Sequence, residues 1–259
     1  MMLLKIVLSS CLILLFLLGS GEAQAGELAE RLAKFPQWEK LTSVKPAEGD
    51  LVYPDWMTGT WKVTSTLVDL AAPLAPDIIT PGFEGNRSQL NQPVSFLVRF
   101  VKVKQQNSGL KFIPKIDKQS QILVADRVFN SLNLSRAYLG NEAILAVKLD
   151  PESPNRQITF FRGERQLVSL VTARATENTP DCQFITTEVF QQYFKGGSRA
   201  YFNTVESTTA YHLLSKSNPK IEADQITAVY LSPQDPDYFT ADSRPVALYR
   251  YRLEFFHLT

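Results

Sequence analysis

From residue 143 onward the chain is one extended segment after another. Residues 143–149, 157–161, 166–176, 183–193, 200–214, 221–231 and 246–258 are all rich in β-branched and aromatic side chains. Turn chemistry separates them: Asp150-Pro151, Arg162-Gly163-Glu164, residues 178–181, Gly196-Gly197, Asn218-Pro219 and residues 233–245. Apart from the last, gaps this short join antiparallel neighbours, because parallel strands need a crossover of a dozen residues or more. There is no strand–helix alternation and no internal repeat in the series. So many strands leave two sheet edges that must close on each other or be covered. The expected fold is mainly all-β, an antiparallel barrel of about 8–10 strands with one internal helix and an N-terminal helical arm.

The first half supplies the remaining parts. Trp61, Val63, Ser65 and Leu67 alternate with Lys62, Thr64, Thr66 and Val68, the pattern of a half-buried strand. Residues 94–104 form a second strand and 111–116 a short third. Residues 122–124 then lead into a helix over 126–139, capped by Asp126 and ended by Gly140. Between the first two strands lies a Pro/Gly-rich loop, residues 71–93. A loop of about 20 residues in a compact domain is typically a lid or a binding loop. Leu74, Ile78, Ile79 and Phe83 give it an apolar side, suited to cover a cavity or to plug the end of a barrel. In the last strand, Ala247, Tyr249, Tyr251, Leu253 and Phe255 alternate with Leu248, Arg250, Arg252, Glu254 and Phe256. One of its faces is therefore apolar and aromatic.

At the other end of the chain, Lys5, the apolar run 6–18 and Ala23-Gln24-Ala25 predict a signal peptide over residues 1–25. Leu8-Ser9-Ser10-Cys11 permits a lipoprotein reading, but the apolar run continues past Cys11. Residues 26–50 follow as a helical arm and linker, with Leu28, Leu32 and Phe35 at helical spacing, and residues 51–259 form the barrel. No later stretch approaches the roughly 20 apolar residues of a membrane-spanning helix. The formal net charge of +1 implies no attraction to nucleic acid or to an anionic membrane.

Chemistry is sparse. Of the two cysteines, Cys11 lies in the leader, which leaves Cys182 without an intramolecular partner. His212 and His257 stand on separate strands with no ligand pattern around them, so neither a metal site nor a catalytic residue is predicted and the cofactor is unknown. No phosphate-binding loop, nucleophile elbow or dinucleotide fingerprint is present. Glu188 and Glu206 lie in mid-strand. Both pointing inward beside Arg174, Arg250 or Arg252, they would orient a polar ligand or act as acid and base; otherwise they form ion pairs that hold the sheet.

Gly59-Thr60-Trp61 at the start of the first strand resembles the G-x-W pattern of lipocalin-like (calycin) barrels. The long loop after that strand and an arginine on the final strand extend the likeness. The resemblance implies that Arg250 or Arg252 packs across Trp61 at the closed end. The helix at 126–139 departs from it, since lipocalins carry theirs near the C-terminus, and lipocalin disulfides are missing. A closer likeness rests on Tyr53-Pro54-Asp55-Trp56 before Gly59-Thr60-Trp61, on Pro81-Gly82-Phe83, Asp126-Arg127 and residues 150–155, and on Arg244-Pro245-Val246-Ala247-Leu248-Tyr249-Arg250-Tyr251. These resemble an uncharacterised family of cyanobacteria and chloroplasts. That resemblance implies export to the thylakoid lumen or periplasm and no assigned activity.

The expected function is thus to bind a small hydrophobic ligand: a pigment, lipid or isoprenoid. The candidate contacts are Trp61, Leu74, Ile78, Ile79, Phe83, Glu188, Glu206, Arg250 and Arg252. The alternatives are an assembly factor for a photosynthetic membrane complex and, third, an enzyme acting on such a ligand.

Overall fold

A computed structural model describes residues 26–39, 44–78, 80, 82–104, 121–179, 183–197, 201–215 and 217–258. In chain order the elements are α1 (Glu27–Ala33), β1 (Lys45–Pro46), β2 (Gly59–Ala71), α2 (Phe83–Arg87), β3 (Pro93–Lys104), β4 (Gln121–Ala125) and α3 (Arg127–Leu139). Then come β5 (Ile144–Asp150), β6 (Ser153–Phe161), β7 (Gln166–Asn178), β8 (Gln183–Lys195), β9 (Tyr201–Leu213), β10 (Ile221–Leu231), α4 (Tyr238–Ala241) and β11 (Ala247–His257). The short strand expected at 111–116 and Cys182 lie outside the described residues, as do residues 1–25.

The strands form one antiparallel sheet in the order β4-β3-β2-β11-β10-β9-β8-β7-β6-β5, with β1 pairing β7. Each hairpin neighbour in sequence is a neighbour in space, and β11 closes back onto β2. The sheet curls into a half-barrel. Its two edge strands, β4 and β5, do not pair with each other among the described residues, so hydrogen-bonded closure, expected from the strand count, is not how this sheet protects its edges.

The helix between those edge strands takes over that task. The Asp126 carboxylate accepts from the Phe129 amide and caps α3. The α3 residue Asn130 then continues the β3 ladder where β4 stops, accepting from Arg99 N at 2.7 Å and donating to Arg99 O at 3.2 Å. Asp126 also binds the Arg99 guanidinium, which lies 4.3 Å over the Phe129 ring. On the opposite side of the curl Ser131 donates to Gln157 of β6, and at the far end of the helix the Tyr138 hydroxyl reaches Ser65 of β2. The helix therefore crosses the trough of the half-barrel. We call the face under it the inner face.

Two apolar clusters fill the inner face at its two ends. Met57, Trp61, Val63, Phe100, Leu123, Phe184, Tyr211, Leu253 and Phe255 pack at the Trp61 end. At the other end the long loop folds back: Phe83 joins Leu67, Ala247 and Tyr249, while Leu74 and Ile78 pack on Leu231, Ala241 and Val246. On the outer face, Leu28 and Leu32 of α1 sit one helical turn apart and, with Trp38, cover Ile185, Ile226, Ala228, Tyr230 and Leu248.

Candidate ligand-binding cavity

Gly59 opens β2 at φ 111°, a conformation that favours glycine, and a Cβ there would stand 3.1 Å from His257 Nε2. Two residues on, the buried Trp61 ring donates its Nε1–H to the Met57 carbonyl at 2.8 Å. The His257 ring meets it edge-on at 4.7 Å, and Phe255 lies on the same side. The G-x-W turn thus anchors the base of the trough. The aromatic partner from β11 is His257, not an arginine: Arg250 pairs in register with Asp69, far along the strand. Arg250 instead makes a two-pronged ion pair with Asp224 at 2.9 and 2.6 Å on the outer face, over the Phe35 ring. Arg252 lies on that outer face too, in a cleft of about 590 Å³ beside α1 with His212 and Glu222.

The two strand glutamates part company. On the outer face, Glu206 is 2% exposed and receives Arg31 of the arm at 2.8, 3.0 and 3.1 Å, together with the Tyr230 hydroxyl at 3.1 Å. Glu188 is on the inner face, where its Oε1 accepts from both Arg127 and Arg174 at 3.1 Å. Arg174 also donates to Asn155 Oδ1 and to the Gly49 carbonyl. Each carboxylate is therefore the centre of a structural ion-pair network, and the two do not converge on one site. Burial is also the main force on the nearby phenols: it raises Tyr53 well above the ordinary tyrosine value and Tyr211 to about 12.

Of the loop residues, Leu74, Ile78 and Phe83 plug the end of the trough opposite Trp61. Their backbone is tied down by Thr80 Oγ1 donating to the Val246 carbonyl, and Asn86 donates to the Tyr249 hydroxyl. Ile79 lies outside the described residues.

Between the Trp61 cluster and this plug, under α3, is a cavity of about 430 Å³. Its walls are Val63, Phe96, Val98, Phe100, Leu253 and Phe255 from the sheet, and Leu134 and Tyr138 from the helix. Small polar groups interrupt them at Ser65, Gln225 and Thr227. The sequence places Val63 and Ser65 on one face of the first strand and Leu253 and Phe255 on the apolar face of the last, but none of the cavity residues is among the contacts expected from it, because alternation does not say which face lines a space. The signal that was available is the glutamine in the middle of β10, in phase with Ala223 and Thr227. Two larger clefts flank α1, and charged side chains line both. The inner cavity is the one with the apolar walls and few polar groups expected of a small-molecule site.

Among the described residues no group of three His, Cys, Asp or Glu could hold a metal ion, and no helix is long and apolar enough to cross a membrane. No curated protein and no solved structure matches this chain. A family model does match, over residues 45–259, which takes in the whole sheet and leaves out α1. The chain belongs to the DUF6816 family, a domain of unknown function.

Proposed function

We propose that this protein holds a small apolar molecule in the inner cavity, between the sheet and α3. The observation that carries this reading is the cavity itself: about 430 Å³ of space walled by Phe96, Phe100, Phe255, Leu253 and Leu134, within the size range of small-molecule pockets. The leader-like residues 1–25 support an exported carrier in a thylakoid lumen or periplasm, with a pigment, lipid or isoprenoid as cargo. Native mass spectrometry with an absorption spectrum, on protein purified from the cells that make it, tests the reading. A bound apolar mass that is lost in Leu134→Trp supports it. A bare polypeptide mass with no absorption beyond that of the protein counts against it.

One observation favours a second reading, a partner protein at the seam. Leu139 and Leu145 are 57% and 61% exposed at the end of α3 and the start of β5, beside the half-exposed Leu134 and Tyr138. In that reading the protein is an assembly factor whose seam docks on a photosynthetic membrane complex, and crosslinking from Leu139→Cys would capture the partner.

A further inference from the structure

The polar groups of the cavity are unequally occupied. The Asn130 amide is used on both sides by the Arg99 backbone. Ser65 receives the Tyr138 hydroxyl. Gln225 donates both protons of its amide nitrogen, to Ser207 Oγ at 3.1 Å and to Thr209 Oγ1 at 2.9 Å. With the amide so placed, Gln225 Oε1 has no protein partner among the described residues. Directly across the β10–β11 ladder, in register with Gln225, stands Tyr251, which also lines the cavity. Facing side chains of a ladder pair start about 4.5–5.5 Å apart at Cβ. The Tyr251 phenol likewise has no protein hydrogen-bond partner among the described residues.

Two side chains with hydrogen-bonding capacity to spare, paired in register, thus face one largely apolar and uncharged cavity. None of the lining residues is an acid, an arginine, a lysine or a histidine. An ionised ligand group would enter without a countercharge, at a large desolvation cost. A group that both gives and takes one hydrogen bond would satisfy the pair, and a hydroxyl is the smallest that does. At the ~30 Å³ that one water occupies in the liquid, the cavity holds roughly 15 non-hydrogen atoms.

Resting on the cavity reading above, we infer that the ligand is an uncharged, mainly apolar molecule of roughly 15 non-hydrogen atoms with one hydroxyl, which binds between Gln225 Oε1 and the Tyr251 phenol. Gln225 is the specificity-determining residue, and Ser207 and Thr209 position it.

The test is a calorimetric titration of three matched probes, 2-naphthol, naphthalene and 2-naphthoate, into the wild-type protein, Gln225→Leu and Tyr251→Phe. In the wild type 2-naphthol should bind about tenfold more tightly than naphthalene, as one or two well-made hydrogen bonds allow, and 2-naphthoate should not bind. In Gln225→Leu the advantage of naphthol should vanish while naphthalene affinity stays within about twofold, and Tyr251→Phe should lose part of the advantage. Equal affinity for naphthol and naphthalene in the wild type, or a preference for naphthoate, would overturn the hydroxyl inference and leave the apolar cavity standing. If none of the three probes binds the wild type, the cavity reading fails and the inference fails with it.

Discussion

Glu188 and Glu206 lie one rung apart on the β8–β9 ladder, Glu188 opposite Ser207 and Glu206 opposite Val189, so their carboxylates leave the sheet on opposite faces. One is clamped by Arg127 and Arg174 under the internal helix, and the other by Arg31 of the N-terminal arm. An acid–base pair needs both groups within reach of one substrate, and the sheet stands between these two. Their work is to fasten α3 to the inner face and α1 to the outer face.

Removing Arg31 strands the Glu206 carboxylate in a site that is 2% exposed, with only hydroxyls left around it. Breaking a buried pair on one side typically costs 3–5 kcal/mol. Arg31→Met should therefore lower the stability to urea by about 3 kcal/mol, and adding Glu206→Gln should restore roughly half of it. A loss below about 1 kcal/mol in the single variant would mean that the arm does not seal this carboxylate.

The inner pair predicts an asymmetry. Glu188→Gln leaves Arg127 and Arg174 facing each other with Asp50 as the nearest remaining carboxylate, 3.5 Å from Arg127. Unfolding titrations should show a loss of about 3 kcal/mol. Naphthalene affinity should stay within about twofold, because Glu188 does not line the cavity. A variant of normal stability that no longer binds the probe would give Glu188 a direct role in the ligand site.

Phe83 is 6% exposed and packs on Tyr249 at a ring separation of 5.9 Å. As a plug, its truncation to alanine should cost about 3 kcal/mol and leave the probe affinity nearly unchanged. As a ligand contact, it would do the reverse. Thermal unfolding and probe titration of Phe83→Ala, run side by side, separate the two roles.

Alkaline pH gives a further check. Burial raises the Tyr211 phenol from 10.0 to about 12. The folded state thus holds this proton more tightly than the unfolded chain does. The stabilisation is complete below pH 10 and is lost as pH rises towards 12, at up to about 1.4 kcal/mol per pH unit. Tyr211→Phe should flatten that part of the stability–pH curve. An unchanged slope would mean that Tyr211 does not titrate differently in the two states.

The strands and the helix were legible because each is periodic on its own. The observed limits of β10 are those expected, and Asp126 caps α3 as its position suggests. How the helix covers the two sheet edges was not legible, since it depends on contacts with strands distant in sequence, such as the Asn130 amide meeting the backbone of Arg99 about thirty residues away. The partner of Arg250 was hidden for a related reason. Asp224 lies on the neighbouring strand, and only the β10–β11 register brings the two together. The faces of Glu188 and Glu206 depend on where the turn between β8 and β9 sets the pairing, and a slip of one residue would reverse them. Gln225 escaped notice because a polar residue in a strand reads as outward until the curl of the sheet is known.

The most direct measurement is a methyl-resolved NMR titration of the wild-type protein with naphthalene. The cavity account predicts saturable shifts at Val63, Val98, Leu134 and Leu253, which line the space. Leu74 and Ile78 in the plugged end, and Leu28 and Leu32 under the arm, should stay fixed. Shifts confined to the plug or the arm, or no saturable shift at any of these methyls, would contradict it.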